Sequence, residues 1–113
     1  MTRGEIYAAA ARGAYTGKPR PVVVVQDDRF DVTASVTICR FTTNPIDAPL
    51  LRIRIDPTSN NGLDRPSSLM VDKITTVPRS GLGERLGRLS DDELVQLNRS
   101  LMVFLGLSSV SQP

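Results

Sequence analysis

Hydrophobic positions recur along this chain at two periods, alternating over most of its length and spaced three and four apart near its end. The stretch Glu5-Ile6-Tyr7-Ala8, following a turn signal at Gly4, predicts a first strand. Residues 11–18 contain Gly13 and Gly17 without regular periodicity and read as a loop. After Pro21, four consecutive valines at 22–25 form a β-branched run suited to a strand buried on both faces. Asp27-Asp28-Arg29 is a polar turn. Residues 32–43 predict the next strand, with Val32, Ala34, Val36 and Ile38 on one face, ended by Asn44-Pro45. Leu51, Ile53 and Ile55 alternate with Arg52 and Arg54, the pattern of a half-buried strand. The dense turn cluster at 56–62 stops it. One or two short strands follow over 67–74 and 75–77, broken at Pro78, and a last one over 84–89 after Gly81 and Gly83.

The period then changes. Ser90-Asp91-Asp92-Glu93 matches a capping box, and its acids suit the positive end of a helix dipole. Leu94, Leu97, Leu101 and Leu105 recur at helical spacing, with Val95, Met102 and Phe104 widening the stripe. This predicts a helix over 91–105 with Gly106 at its C-terminal cap, then a frayed tail over 108–113. No internal repeat or linker interrupts the chain, so residues 1–107 read as one domain. Short strands and one terminal helix predict a mainly β fold: a small barrel or strongly bent sheet capped by that helix.

Composition removes several chemistries. At 113 residues, with 40% hydrophobic and 23% charged, the chain is an ordinary globular domain. It has no histidine, which excludes histidine metal sites, a Ser-His-Asp triad and histidine acid–base catalysis. The single Cys39 forms no internal disulfide or multi-cysteine metal site, and a reducing cytoplasm is the expected compartment. No apolar run has the roughly 20 residues that span a bilayer, and the N-terminus lacks a signal peptide's apolar stretch. The net charge is only +2, but no acid occurs from Ile6 to Gln26, whereas Arg12, Lys18 and Arg20 lie there. This modest basic patch suits a polyanionic partner.

The loop holding Arg12, Tyr15 and Lys18 combines charge, one stacking ring and two glycines, which a single-stranded nucleic acid binder needs and an ordinary surface loop also has. Arg20 sits at the mouth of the valine strand, where a fixed guanidinium fork can hold one phosphate or pair with an acid at the sheet edge. Thr42 and Thr43 end a strand with two adjacent hydroxyls that can bond a phosphate oxygen or a base. Asp72 reads as an acid inside an apolar strand, able to orient an arginine, contact a base or face solvent. Cys39 reads as a core thiol.

Four places together resemble the MazF/PemK family of toxin endoribonucleases: Arg3-Gly4-Glu5-Ile6-Tyr7; residues 17–26, with Arg20-Pro21-Val22; Ile38 through Thr42-Thr43-Asn44; and Gly62-Leu63 through Asp72, then Leu86 to Ser90 with the helix. The resemblance covers residues 3 to about 107. It implies an SH3-like barrel, a homodimer and metal-independent cleavage of single-stranded RNA by the 2′-hydroxyl, leaving a 2′,3′-cyclic phosphate and a 5′-hydroxyl. By position it implies Arg20 and Thr42 as catalytic, Asp72 as an implicated acid and Thr43 as an RNA-binding hydroxyl. It further implies an antitoxin whose disordered acidic tail covers the RNA groove and pairs with the basic loop. Arg40, Phe41, Met70 and Lys73 depart from the family pattern, which bears on target sequence and the second catalytic group. The C-terminal half also resembles CcdB-type gyrase poisons, but without their terminal Trp-Gly-Ile. A non-catalytic RNA-binding barrel is the other alternative.

Overall fold

The computed structural model describes residues 1–9 and 19–108. Among the described residues the strands are β1 (Glu5–Ala9), β2 (Arg20–Val24), β3 (Ser35–Thr42), β4 (Arg52–Ile55), β5 (Ser67–Met70), β6 (Thr75–Pro78) and β7 (Leu82–Arg88), followed by the helix α1 (Asp91–Phe104). Every strand pairing is antiparallel. The sheet runs β4-β5-β3-β2-β1-β7, and β6 pairs with β3 beside β5. The end strands β4 and β7 do not pair with each other, so the sheet is not closed into a barrel.

The valine run divides between the two faces as its lack of alternation requires. Val23 and Val25 join Ile6, Cys39, Ile53, Ile55, Leu69 and Leu89 in one core, closed by Leu97 and Leu101 of α1. Val22 and Val24 join Ala9, Val36 and Ile38 in a second, smaller core on the opposite face, edged by Tyr7, Val77 and Leu82.

β3 begins at Ser35, three residues later than the pattern predicts. Asp27 caps a 3-10 turn at Asp28–Phe30, its carboxylate accepting the Arg29 N–H at 2.8 Å, and the chain is still turning at Val32, which is exposed. A second departure concerns Asp72. β5 stops at Met70, and Val71–Lys73 form a 3-10 turn. One edge of β3 pairs first with β5 at Phe41–Thr42, then with β6 at 35–38, and the register slips by three residues between them. The turn absorbs those residues and lifts Asp72 out of the ladder.

The capping box forms as expected: Ser90 Oγ accepts the Glu93 N–H at 3.1 Å, and Glu93 Oε1 accepts the Ser90 N–H at 2.9 Å. Gly106, at φ +73°, takes the left-handed position after the helix. The stripe buries less than its spacing predicts. Leu97 and Leu101 are buried, whereas Leu105, Val95, Met102 and Phe104 are exposed. Val103 and Phe104 of the last turn line an apolar cavity of about 420 Å³ with residues 48–51. The long β4–β5 connection is fixed by buried Asn61, whose Oδ1 accepts the Thr58 and Leu63 N–H groups and whose Nδ2 donates to the Asp56 carbonyl. Gly87 has no side chain because a Cβ there would lie 2.3 Å from the Asn60 carbonyl oxygen.

Candidate active site

The second face carries the candidate site beside its small core. Residues directly opposite in an antiparallel ladder share a face. Arg20 opposes Ala9, Thr42 opposes Ser68, and Ser68 opposes Arg54. The β2–β3 ladder pairs Val22 with Arg40. Carried two residues further along both strands, that register sets Arg20 level with Thr42. One transverse row across four strands therefore reads Arg20, Thr42, Ser68, Arg54. The row beside it on the same face reads Val22, Arg40, Met70, Arg52 by the same ladders.

Arg20 is exposed, and among the described residues it has no hydrogen-bond or ion-pair partner. Pro21 follows it, which fixes the backbone at the strand mouth. Thr42 is half-buried, and its Oγ1 accepts the Asn44 N–H at 3.1 Å. That bond occupies an acceptor site and leaves the hydroxyl proton to donate to a ligand. Thr42, Thr43, Asn44, Ser68 and Arg54 line one small cavity of about 60 Å³. Thr43 is exposed at its rim. The pair expected from the sequence, Arg20 and Thr42, thus falls on one line, with Thr43 next to it.

Asp72 stands apart from that line. Its carboxylate pairs with the Arg52 guanidinium, whose Nη1 also donates to the Leu51 carbonyl at 2.9 Å. The bond from Arg52 is the main reason its carboxyl is held below the ordinary aspartate value. An acid so held is a weak proton acceptor at neutral pH. Cys39 is buried, donates to the Met70 carbonyl at 3.4 Å, and has its thiol pushed up to about 12 by burial. It is a core thiol, as read from the sequence. Arg12, Tyr15 and Lys18 lie outside the described residues.

Sequence reasoning missed Ser68 and Arg54 as members of the row. The alternation at 51–55 already set Arg52 and Arg54 opposite the buried isoleucines. Only the ladder through β5 shows which strand ends they accompany. Among the described residues, no three His, Cys, Asp or Glu side chains come together as a metal site, and no helix is long and apolar enough to cross a membrane.

The model of the PemK-like, MazF-like toxins of type II toxin–antitoxin systems matches residues 2–105. The chain belongs to that family. It is 65% identical to a protein named probable endoribonuclease MazF from Mycolicibacterium smegmatis, over 96% of this chain and 99% of that one. It is 28% identical to the endoribonuclease MazF of Staphylococcus saprophyticus, over 97% and 95%. The fold is that of solved MazF toxins. Mycobacterium tuberculosis toxin MazF-mt6 superposes with a TM-score of 0.76 at 24% identity, covering 92% of this chain and 98% of the other. A mycobacterial endoribonuclease in complex with its cognate antitoxin gives 0.73 at 23%, covering 100% and 97%. For this MazF-like toxin the gyrase-poison and non-catalytic readings are not favoured.

Proposed function

We propose that this chain is the toxin of a type II toxin–antitoxin module and cuts single-stranded RNA without a metal ion. The observation that carries the reading is the shared row of Arg20 and Thr42, a guanidinium without a partner among the described residues level with a hydroxyl proton free to donate, in a chain of this family. RNA supplies its own nucleophile in the 2′-hydroxyl. The protein need only align that oxygen with the phosphate and stabilise the charge that develops. Arg20 presents a planar fork to the non-bridging oxygens. Thr42 donates to one of them and fixes the phosphate, and Thr43 binds the neighbouring nucleotide. Asp72 acts by holding Arg52 on the same face. Water takes the 2′-hydroxyl proton and supplies one to the departing 5′-oxygen, and Arg12, Tyr15 and Lys18 are RNA-binding residues. The products are a 2′,3′-cyclic phosphate and a 5′-hydroxyl.

The same reading sets the protein in the cytoplasm, where a free ribonuclease calls for an antitoxin. A disordered acidic antitoxin tail fits the cationic face. A homodimer is supported by the exposed Met102, Val103, Phe104 and Leu105 beside Leu50, an apolar patch suited to a second copy. Purified protein, incubated in EDTA with a long RNA and mapped at nucleotide resolution, is expected to cut at a recurrent short motif. A single 2′-deoxy substitution at a mapped site is expected to abolish the cut there. Persistence of cleavage at that position would overturn the 2′-hydroxyl mechanism.

A further inference from the structure

A second cavity, of about 380 Å³, lies between β4 and α1, and its size is that of a small-ligand pocket. Its polar lining is Arg52, Arg54, Gln96, Arg99 and Ser100, with no carboxylate among the lining residues. Gln96, Arg99 and Ser100 come from one face of α1, at spacings of three and four. Arg99 has no partner among the described residues. Arg54 holds only an ion pair with Asp56 at 3.0 Å in which both side chains are about 70% exposed, a contact a ligand displaces at little cost.

Two observations point to a ligand. The Arg52 side chain is only 9% exposed, and its Nε is the one buried side-chain polar atom among the described residues without a partner. A buried donor left unmade is costly, and Arg52 is one of the residues that line this cavity. Arg54, in turn, lines both this cavity and the small one shared by Thr42 and Thr43. The cavity therefore continues the Arg20–Thr42–Ser68–Arg54 row past the edge of the sheet. Arg20 and Arg54 stand three strand spacings apart, about 14 Å, a span that a nucleotide chain bridges without leaving the face.

We infer that this groove is a nucleotide subsite for the RNA strand beyond the cut, an inference that rests on the ribonuclease reading above. Arg54 and Arg99 take a phosphate, the Arg52 Nε–H meets an acceptor of the same nucleotide, and Gln96 and Ser100 reach its base edge. Three arginines and no carboxylate in the lining suit the phosphodiester backbone of RNA.

The test is RNA affinity as a function of salt, read by anisotropy with a 2′-O-methyl oligonucleotide that spans a mapped cut site and resists cleavage. Arg99→Ala is expected to bind roughly tenfold more weakly. The slope of log affinity against log salt is expected to fall by about 0.7, one phosphate's worth for a single strand. With an oligonucleotide truncated just beyond the cut, the variant and the unsubstituted protein are expected to bind alike. Arg29→Ala, an equal charge loss at a residue that lines neither cavity, is expected to leave the slope unchanged. Gln96→Ala is expected to relax the base preference at one position flanking the mapped motif. If the unsubstituted protein cleaves but Arg99→Ala keeps the full slope on the long oligonucleotide, the subsite is overturned and the ribonuclease reading survives. If the unsubstituted protein neither binds nor cuts RNA, the reading beneath it falls too. A shift of Arg99→Ala from dimer to monomer in sedimentation would assign the groove to a contact between copies and overturn the proposal.

Discussion

The two faces of the sheet are built from the same strands and have been given different work. Beneath α1 the buried strand side chains are apolar apart from Ser67, and the helix closes the face with Leu97 and Leu101. On the opposite face apolar side chains cover only part of the surface, and beside them the same strands present Arg20, Thr42, Ser68 and Arg54. Alternation makes this division possible, because residue i and residue i+1 of one strand answer to different constraints. Val22 and Val23 are both buried, yet only Val22 shares a face with Arg20. Substitutions on the first face should therefore change stability and leave cleavage per folded molecule intact, and those on the row should do the reverse.

The largest effect on folding is expected from Leu97→Ala. Removing this fully buried side chain should cost about 2–5 kcal/mol in chemical denaturation, with the cut rate of the remaining folded protein unchanged. Thr42→Val is the converse. It should lower the cleavage rate about tenfold, near 1.4 kcal/mol of transition-state stabilisation, and move the denaturation midpoint little. A large loss of stability in that variant would show that the row is not separable from the fold. Ser90→Ala removes the side-chain half of the capping box and should cost about 1 kcal/mol in denaturation, again without a change in cleavage.

The smallest effect is the pH dependence of the Asp72–Arg52 pair. The folded carboxyl is held below its ordinary value of 3.8, chiefly by the bond from Arg52. Its contribution is therefore complete above that value and is lost as pH falls through the depressed one. Melting curves of the unsubstituted protein and Asp72→Asn should differ near neutral pH, and the gap should close below about pH 4. A gap that stayed constant into acid would mean that the pair contributes nothing through its charge.

The strands and the helix were legible because burial acts residue by residue. The valine run, the alternation at 51–55 and the capping box each carry their signal within a few positions. What escaped depended on register. Nothing local to Asp72 shows that β3 pairs with β5 and β6 out of step by three residues, which turns a predicted strand position into a turn. The helical spacing of Leu105 likewise does not show that it is exposed while Leu97 and Leu101 are buried. Arg20 and Thr42 were legible through family resemblance and strand ends. Arg54 lies 34 residues from Arg20 in the chain, and it joins the row only through two intervening strands.

The most direct test of the account is the cleavage rate of Arg20→Ala in EDTA, measured beside its denaturation curve. Arg20 is exposed and unpartnered among the described residues, so the fold should be indifferent to its loss. An unchanged midpoint is expected, with a rate lower by about a hundred- to a thousandfold, the scale of a lost transition-state donor. Cleavage at the unsubstituted rate by a folded Arg20→Ala protein would contradict it.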